Sequence, residues 1–134
     1  MWSQRTRYAV RTLMYLATHN HHRTPARELA RENEVPAKYL ETILADLRAA
    51  GLVRSTKGAG GGYEMVSDPS TVRLLDVVRV VDPDLVTESA TDGAAEEPVL
   101  DGIARHVVQE LARTTVADAV MRWQQTQSTL TYVI

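Results

Sequence analysis

Lys38, Glu41, Thr42 and Ala45 recur at spacings of three and four, which puts them on one side of a helix. The other side carries Leu40, Ile43 or Leu44, and Leu47. The chemistry open to the polar side is hydrogen bonding to a ligand that presents base edges and charges. Lys38 can donate to guanine or to a phosphate, and Glu41 can accept from cytosine N4. A carboxylate among phosphates is costly unless it meets such a donor, so Glu41 would serve discrimination more than affinity. Tyr39 and Thr42 flank these two. On a solvated helix face the same residues would do nothing in particular, so the neighbouring elements decide.

Those neighbours are informative. Gly51 stands just past the helix, where a left-handed cap is expected. Residues 52–56 and 63–66 are short strand-like runs. Between them Lys57, Gly58, Ala59, Gly60, Gly61 and Gly62 form a tip that carries one cation. Glycines there let backbone approach a ligand and supply a tight turn. Arg54 adds a second cation on the first strand. A phosphate-cradling nucleotide loop fits poorly, because that motif runs from strand to helix and these glycines lead into Tyr63 and a strand. Helix, strand, basic glycine tip and strand make a winged helix, which sets a helix in one groove of a duplex and a hairpin beside it.

The preceding segments complete a helix-turn-helix. Ser3 can cap a first helix, whose apolar stripe is Ala9, Val10, Leu13, Leu16 and Ala17. Arg5 and Arg7 lie on it as candidate duplex contacts, with Arg11 as a further cation. Thr24-Pro25 reads as cap and first-turn proline of a short helix that buries Leu29 and Ala30. Asn33-Glu34 makes the turn, and Pro36 opens the third helix. Leu74, Leu75, Val78 and Val81 predict a brief fourth helix.

The charge is uneven. The net formal charge is -2, yet residues 1–65 sum to +4 and residues 66–134 to −6. The first half is expected to meet a polyanion and the second is not. Residues 82–97 hold six acidic side chains and no basic one, and read as a mobile acidic loop. A helix then starts near Glu97 and Pro98 and carries a stripe of Leu100, Ile103, Val107 and Leu111. With little left to bury against in its own chain, that stripe is expected to be a dimer seam. Thr115 and Asp118 form a capping-box-like start for a last helix through Ala119, Val120 and Trp123. The β-prone end, residues 129–134, stays unassigned.

Other chemistry is poorly supplied. There are no cysteines, so disulfides and thiolate chemistry are excluded. His19, His21 and His22 lack the converging ligands of a metal site and read as a solvated helix end. His106, beside an apolar stripe, reads as a packed core histidine. No catalytic constellation occurs. No segment reaches the roughly 18 apolar residues of a membrane span, and the polar start lacks a signal-peptide core, so the chain is expected in the cytoplasm.

These motifs occur in the order seen in the Rrf-two family of bacterial transcription regulators, which the chain resembles. The resemblance rests on residues 7–11, Lys38-Tyr39-Leu40-Glu41 with Leu44, Ala50-Gly51-Leu52-Val53-Arg54-Ser55, residues 58–63, and residues 74–78. It is close over residues 3–82 and looser beyond. It implies a winged-helix dimer with a long C-terminal dimerisation helix and palindromic DNA binding. It matches Glu41 to a base-reading glutamate and Lys57 to a usual wing-tip arginine. The family includes an iron–sulfur cluster regulator and a nitric-oxide-sensing repressor, and many members hold the cluster through three cysteines before the long helix. Residues 86–100 contain none, so no cluster or other cofactor is expected. Pro36 also replaces a common serine, which removes one cap or phosphate contact.

The expectation is a mainly α protein: a winged helix-turn-helix over residues 1–81, an acidic loop over 82–97, and a dimerisation helix with a C-terminal helix or tail over 98–134. Its function would be that of a homodimeric repressor of a palindromic operator. Arg5, Arg7, Lys38, Tyr39, Glu41, Thr42, Arg54, Lys57, Gly58 and Gly60 would contact double-stranded DNA. An effector or partner protein would supply the control. The competing class is a winged-helix protein-interaction module that reads no DNA.

Overall fold

The computed structural model describes residues 1–87 and 97–133, with side chains through residue 129. The elements run α1 (Gln4–Thr18), α2 (Ala26–Asn33), α3 (Ala37–Ala49), β1 (Val53–Thr56), β2 (Gly62–Met65), a 3-10 turn (Pro69–Thr71), α4 (Leu74–Val81), α5 (Pro83–Thr87), α6 (Pro98–Arg113) and α7 (Val116–Val133). The fold is a mainly helical winged helix, as the periodicities predict.

Local chemistry sets the boundaries. The Ser3 hydroxyl accepts from the Thr6 N–H and caps α1, satisfying a donor the helix cannot. Helix α2 ends at Glu34, a non-glycine residue in the left-handed region with φ 54°. Helix α3 ends in a Schellman motif: Gly51 N–H donates to Arg48 C=O at 3.0 Å and Leu52 N–H to Leu47 C=O at 2.9 Å. Gly51 has φ +77°, a conformation in which a side chain is strained. Strands β1 and β2 pair antiparallel with Val53 opposite Met65 and Arg54 opposite Glu64.

The main core joins Leu13 and Leu16 of α1, Leu29 of α2, Leu40, Ile43, Leu44 and Leu47 of α3, Val53 of β1, and Val77 of α4. All four apolar candidates of α3 are therefore buried. Val116, at the start of α7, belongs to the same core. An isolated bridge pins this C-terminal part to the body: Leu74 N–H donates to Thr114 C=O at 2.8 Å and Val116 N–H to Val72 C=O at 2.9 Å. A second cluster of Leu75, Val78, Val86 and Leu111 packs α4, α5 and α6 together. Among the described residues no helix is long and apolar enough to cross a membrane.

Several expectations are corrected. Pro25, not Thr24, occupies the α2 cap position, without a side-chain cap bond, because the Thr24 backbone is paired with Tyr63. The acidic stretch opens with α5, which buries Val86; the rest of that expected loop, residues 88–96, lies outside the described residues. His106 is exposed rather than packed, since α6 turns Val107, Val108 and Leu111 toward α4 and α5. The β-prone end continues α7 as helix through Val133.

Candidate nucleic-acid interface

Helix α3 presents its polar face as expected. Lys38, Tyr39, Glu41, Thr42 and Ala45 are all exposed. Burial of Leu40, Ile43, Leu44 and Leu47 fixes the helix rotation and so fixes this face. Lys38 sits in the first turn, which contains no acidic residue. A cation there opposes the helix dipole, and a phosphate arriving at the same N–H groups would offset that cost. Neither Lys38 nor Glu41 has an ion-pair partner among the described residues. The Tyr39 ring meets Tyr8 edge-on at 5.6 Å, which steadies a side chain that is 44% exposed.

The wing is held from two directions. Tyr63 and Thr24 form an antiparallel bridge, so a backbone segment just before α2 extends the hairpin. Glu64 then accepts from Arg54 at 2.9 Å and from Arg23 at 3.3 Å. These two guanidinium groups, Arg54 foremost, hold the Glu64 carboxyl below the usual carboxylate range. Lys57, Gly58 and Gly60 form the exposed tip, and Lys57 has no ion-pair partner among the described residues.

The two expected arginines of α1 are placed differently. The Arg5 guanidinium turns onto the fold: Nε donates to Val81 C=O at 2.9 Å, Nη1 to the Thr42 hydroxyl at 3.2 Å, and Nη2 to the Asp46 carboxylate. Arg7 donates weakly to Trp2 C=O at 3.5 Å. It lines a groove of about 830 Å³ that draws on α1, α2, α4, α6 and α7, with Trp2, Asn33, Val78 and Trp123 among its walls, and on no residue of α3.

Two cations that sequence reasoning passed over stand beside the wing. Arg23 and Arg27, with Pro25 and Ala26, line a small cleft against Gly58–Gly61. Arg27 lies in the first turn of α2, without an ion-pair partner among the described residues. A cation opposing a helix dipole was the available signal. Arg48, in the last turn of α3, donates to the Ser55 hydroxyl of β1 at 3.3 Å.

The expected seam divides along its length. Leu100 and Ile103 are exposed, at 63% and 55%, as is Val99. Val107 is half-buried and Leu111 is buried against α4 and α5. The amino-terminal half of α6 thus carries an apolar surface open to a partner, while the other half is spent within the chain.

Comparison with known proteins agrees with this geometry. The profile of the Rrf2 family, described as iron-dependent transcriptional regulators, matches residues 2–122. An HTH-type, Rrf2-like transcriptional regulator of Rhodobacter capsulatus is 32% identical over 105 residues, 75% of this chain and 70% of the relative. The HTH-type regulator CymR of Bacillus subtilis is 36% identical over 81 residues, 60% of this chain. That match spans 59% of CymR, and a match to Vibrio vulnificus IscR spans 46% of that relative. Among solved structures, CymR, the global cysteine regulator of B. subtilis, superposes with a TM-score of 0.81 at 27% identity, over 91% of this chain and 97% of the other. T. potens IscR also gives 0.81 at 27% identity, over 95% and 90%.

The iron in the family description finds no matching donor set among the described residues. Thiolate ligation needs cysteines and the chain has none. Among the described residues no group of three His, Cys, Asp or Glu side chains could hold a metal ion. His19, the most tempting ligand, stacks on Tyr15 at 4.0 Å, with its Nδ1 2.8 Å from Tyr15 C=O. Thiolate ligation is thus closed to this chain, while the profile match over residues 2–122 covers α3 and the wing: the chain belongs to the Rrf2 (Rrf-two) family of transcriptional regulators.

Proposed function

We propose that this protein is a homodimeric repressor that seats α3 in the major groove of a palindromic duplex and sets its wing on the flanking backbone. The observation that carries this reading is the set of exposed cations without ion-pair partners: Lys38 in the first turn of α3, Arg27 in the first turn of α2, and Lys57 at the wing tip. Each is disfavoured or unrewarded in the free protein and gains a partner when a phosphate backbone arrives. Arg54 and Arg23 add charge at the wing, and Tyr39 and Thr42 flank Glu41 on the reading face. Gly58 and Gly60 allow the tip to come close.

Dimerisation follows from Val99, Leu100 and Ile103, which a second copy would cover in an isologous contact. A two-fold protein suits two half-sites about one helical turn apart. Control would come from an effector or partner protein that does not depend on a thiolate-bound cluster. The test is selection from a random duplex library at low salt. Enrichment of an inverted repeat supports the reading. Binding without enrichment of any sequence, or no binding, favours a protein-interaction module.

A further inference from the structure

Arg5 and Thr42 are 37 positions apart, yet Arg5 Nη1 donates to the Thr42 hydroxyl oxygen at 3.2 Å. That hydroxyl in turn donates to Tyr39 C=O at 2.9 Å. Its proton is committed to the backbone and one lone pair is committed to a guanidinium. Thr42 is nonetheless exposed on the polar face of α3, so what its side chain can still offer a base edge is its methyl group and one remaining acceptor lone pair, with no proton to donate. Threonine on a helix ordinarily divides between two χ1 rotamers, because its oxygen can bond a carbonyl one turn back. The bond from Arg5 favours one of them. Arg5 itself is anchored by Val81 C=O and Asp46, contacts that a swinging side chain would forfeit.

We infer that Arg5 is a positioning residue that turns the Thr42 hydroxyl away from the duplex, so that Thr42 reads a thymine through methyl–methyl contact and not through a hydrogen bond. This deepens the DNA-binding reading and rests on it. The major groove exposes the thymine C5-methyl, and apolar contact with it is an ordinary means of discrimination. Arg5 thus acts on sequence choice without touching the duplex.

The experiment compares base-preference profiles of the full chain and of the Thr42→Val, Thr42→Ser, Arg5→Ala and Arg5→Ala/Thr42→Val variants, all on random duplex libraries. Thr42→Val keeps the methyl and loses the hydroxyl, and should retain a thymine preference at one base pair per half-site. Thr42→Ser keeps the hydroxyl and loses the methyl, and should lose that preference alone. Replacing the thymine by uracil in one half-site should weaken wild-type binding on the order of fourfold, the worth of one buried methyl-sized group, and leave the Thr42→Ser variant unchanged. Arg5→Ala should relax the same base pair and no other, and the double variant should recover the preference, which a general loss of stability would not allow. If Thr42→Ser keeps the preference while Thr42→Val loses it, the hydroxyl reads and the inference is overturned. Identical profiles for both Thr42 variants and wild type also overturn it, with the DNA-binding reading intact. A wild-type protein that enriches no sequence removes both.

Discussion

Tyr63 and Thr24 exchange both backbone hydrogen bonds, Tyr63 N–H to Thr24 C=O at 2.8 Å and Thr24 N–H to Tyr63 C=O at 2.9 Å. The exchange ties the segment just before α2 to the wing through a single-residue bridge. A two-stranded hairpin alone is marginal in water, so this pairing, with Val53 and Met65 in the core, holds the wing and its Lys57 against the body. It also explains why Thr24 is buried although it lies between polar segments.

The close approach depends on Gly62, whose φ is +147°. A Cβ there would lie 2.5 Å from the Thr24 carbonyl carbon and 2.7 Å from Pro25 N, both backbone atoms. Gly62→Ala should cost on the order of 1–3 kcal/mol through strain and detach the wing from α2. A lower unfolding midpoint in urea, with faster amide exchange at Thr24 and Tyr63, is the expected result. An unchanged midpoint would show that the clasp is not needed.

Glu41 and Lys57 should fail in different ways. Glu41→Ala should relax preference at one base pair by roughly 1–3 kcal/mol of discrimination. Lys57→Ala should weaken binding to most sequences alike and reduce the salt slope by about one per protomer. Competition against a library of single-base operator variants separates the two. A Glu41→Ala profile identical to wild type would move the reading face elsewhere.

The apolar start of α6 should hold two copies together. Leu100→Asp with Ile103→Asp would place carboxylates in the seam, which is costly without partners. Both side chains are exposed on the single chain, so the fold should survive. Sedimentation should show a helical monomer that no longer binds a full inverted repeat. A wild-type chain that sediments as a monomer at micromolar concentration contradicts the seam.

Acid should loosen the joint between α6 and α7. The Asp118 carboxylate accepts from the Thr115 N–H at 2.9 Å, and the Thr115 hydroxyl accepts from the Asp118 N–H at 3.0 Å. The first of these, with a further Thr115 hydrogen bond, holds the Asp118 carboxyl below its ordinary value. A depressed carboxyl contributes stability that is present above the unfolded-state value, about 4, and is lost as pH falls through the lower native value. Urea midpoints should therefore decline over that acid range, and Asp118→Asn should flatten the decline. Equal pH dependence in both proteins would exclude this joint as a source.

Much of this could be read from residue order. The Leu40-to-Leu47 periodicity, Gly51 past the helix and the glycine tip each state a local rule, and local rules survive folding. The Thr115 and Asp118 cap was legible for the same reason. What failed to show were long-range choices. Arg5 reads as a surface cation until α3 and α4 bring Asp46 and Val81 to it. Thr24 reads as a cap until Tyr63 claims its backbone. Leu111 reads as one more seam residue until Leu75 and Val78 cover it. Thr129, Thr131 and Val133 are β-branched and Tyr132 is aromatic, yet residues 129–133 continue a helix already nucleated and packed at Val116, where adding a residue costs little.

The most direct test is a titration of an enriched inverted-repeat duplex against salt. If the wing and helix starts meet phosphates on both half-sites, a dimer should neutralise about 6 to 10 of them. The binding constant should then fall linearly in log–log form, by roughly 10³- to 10⁵-fold between 50 and 200 mM, with two chains per duplex. Affinity that barely changes over that range, or one chain per duplex, would contradict the account.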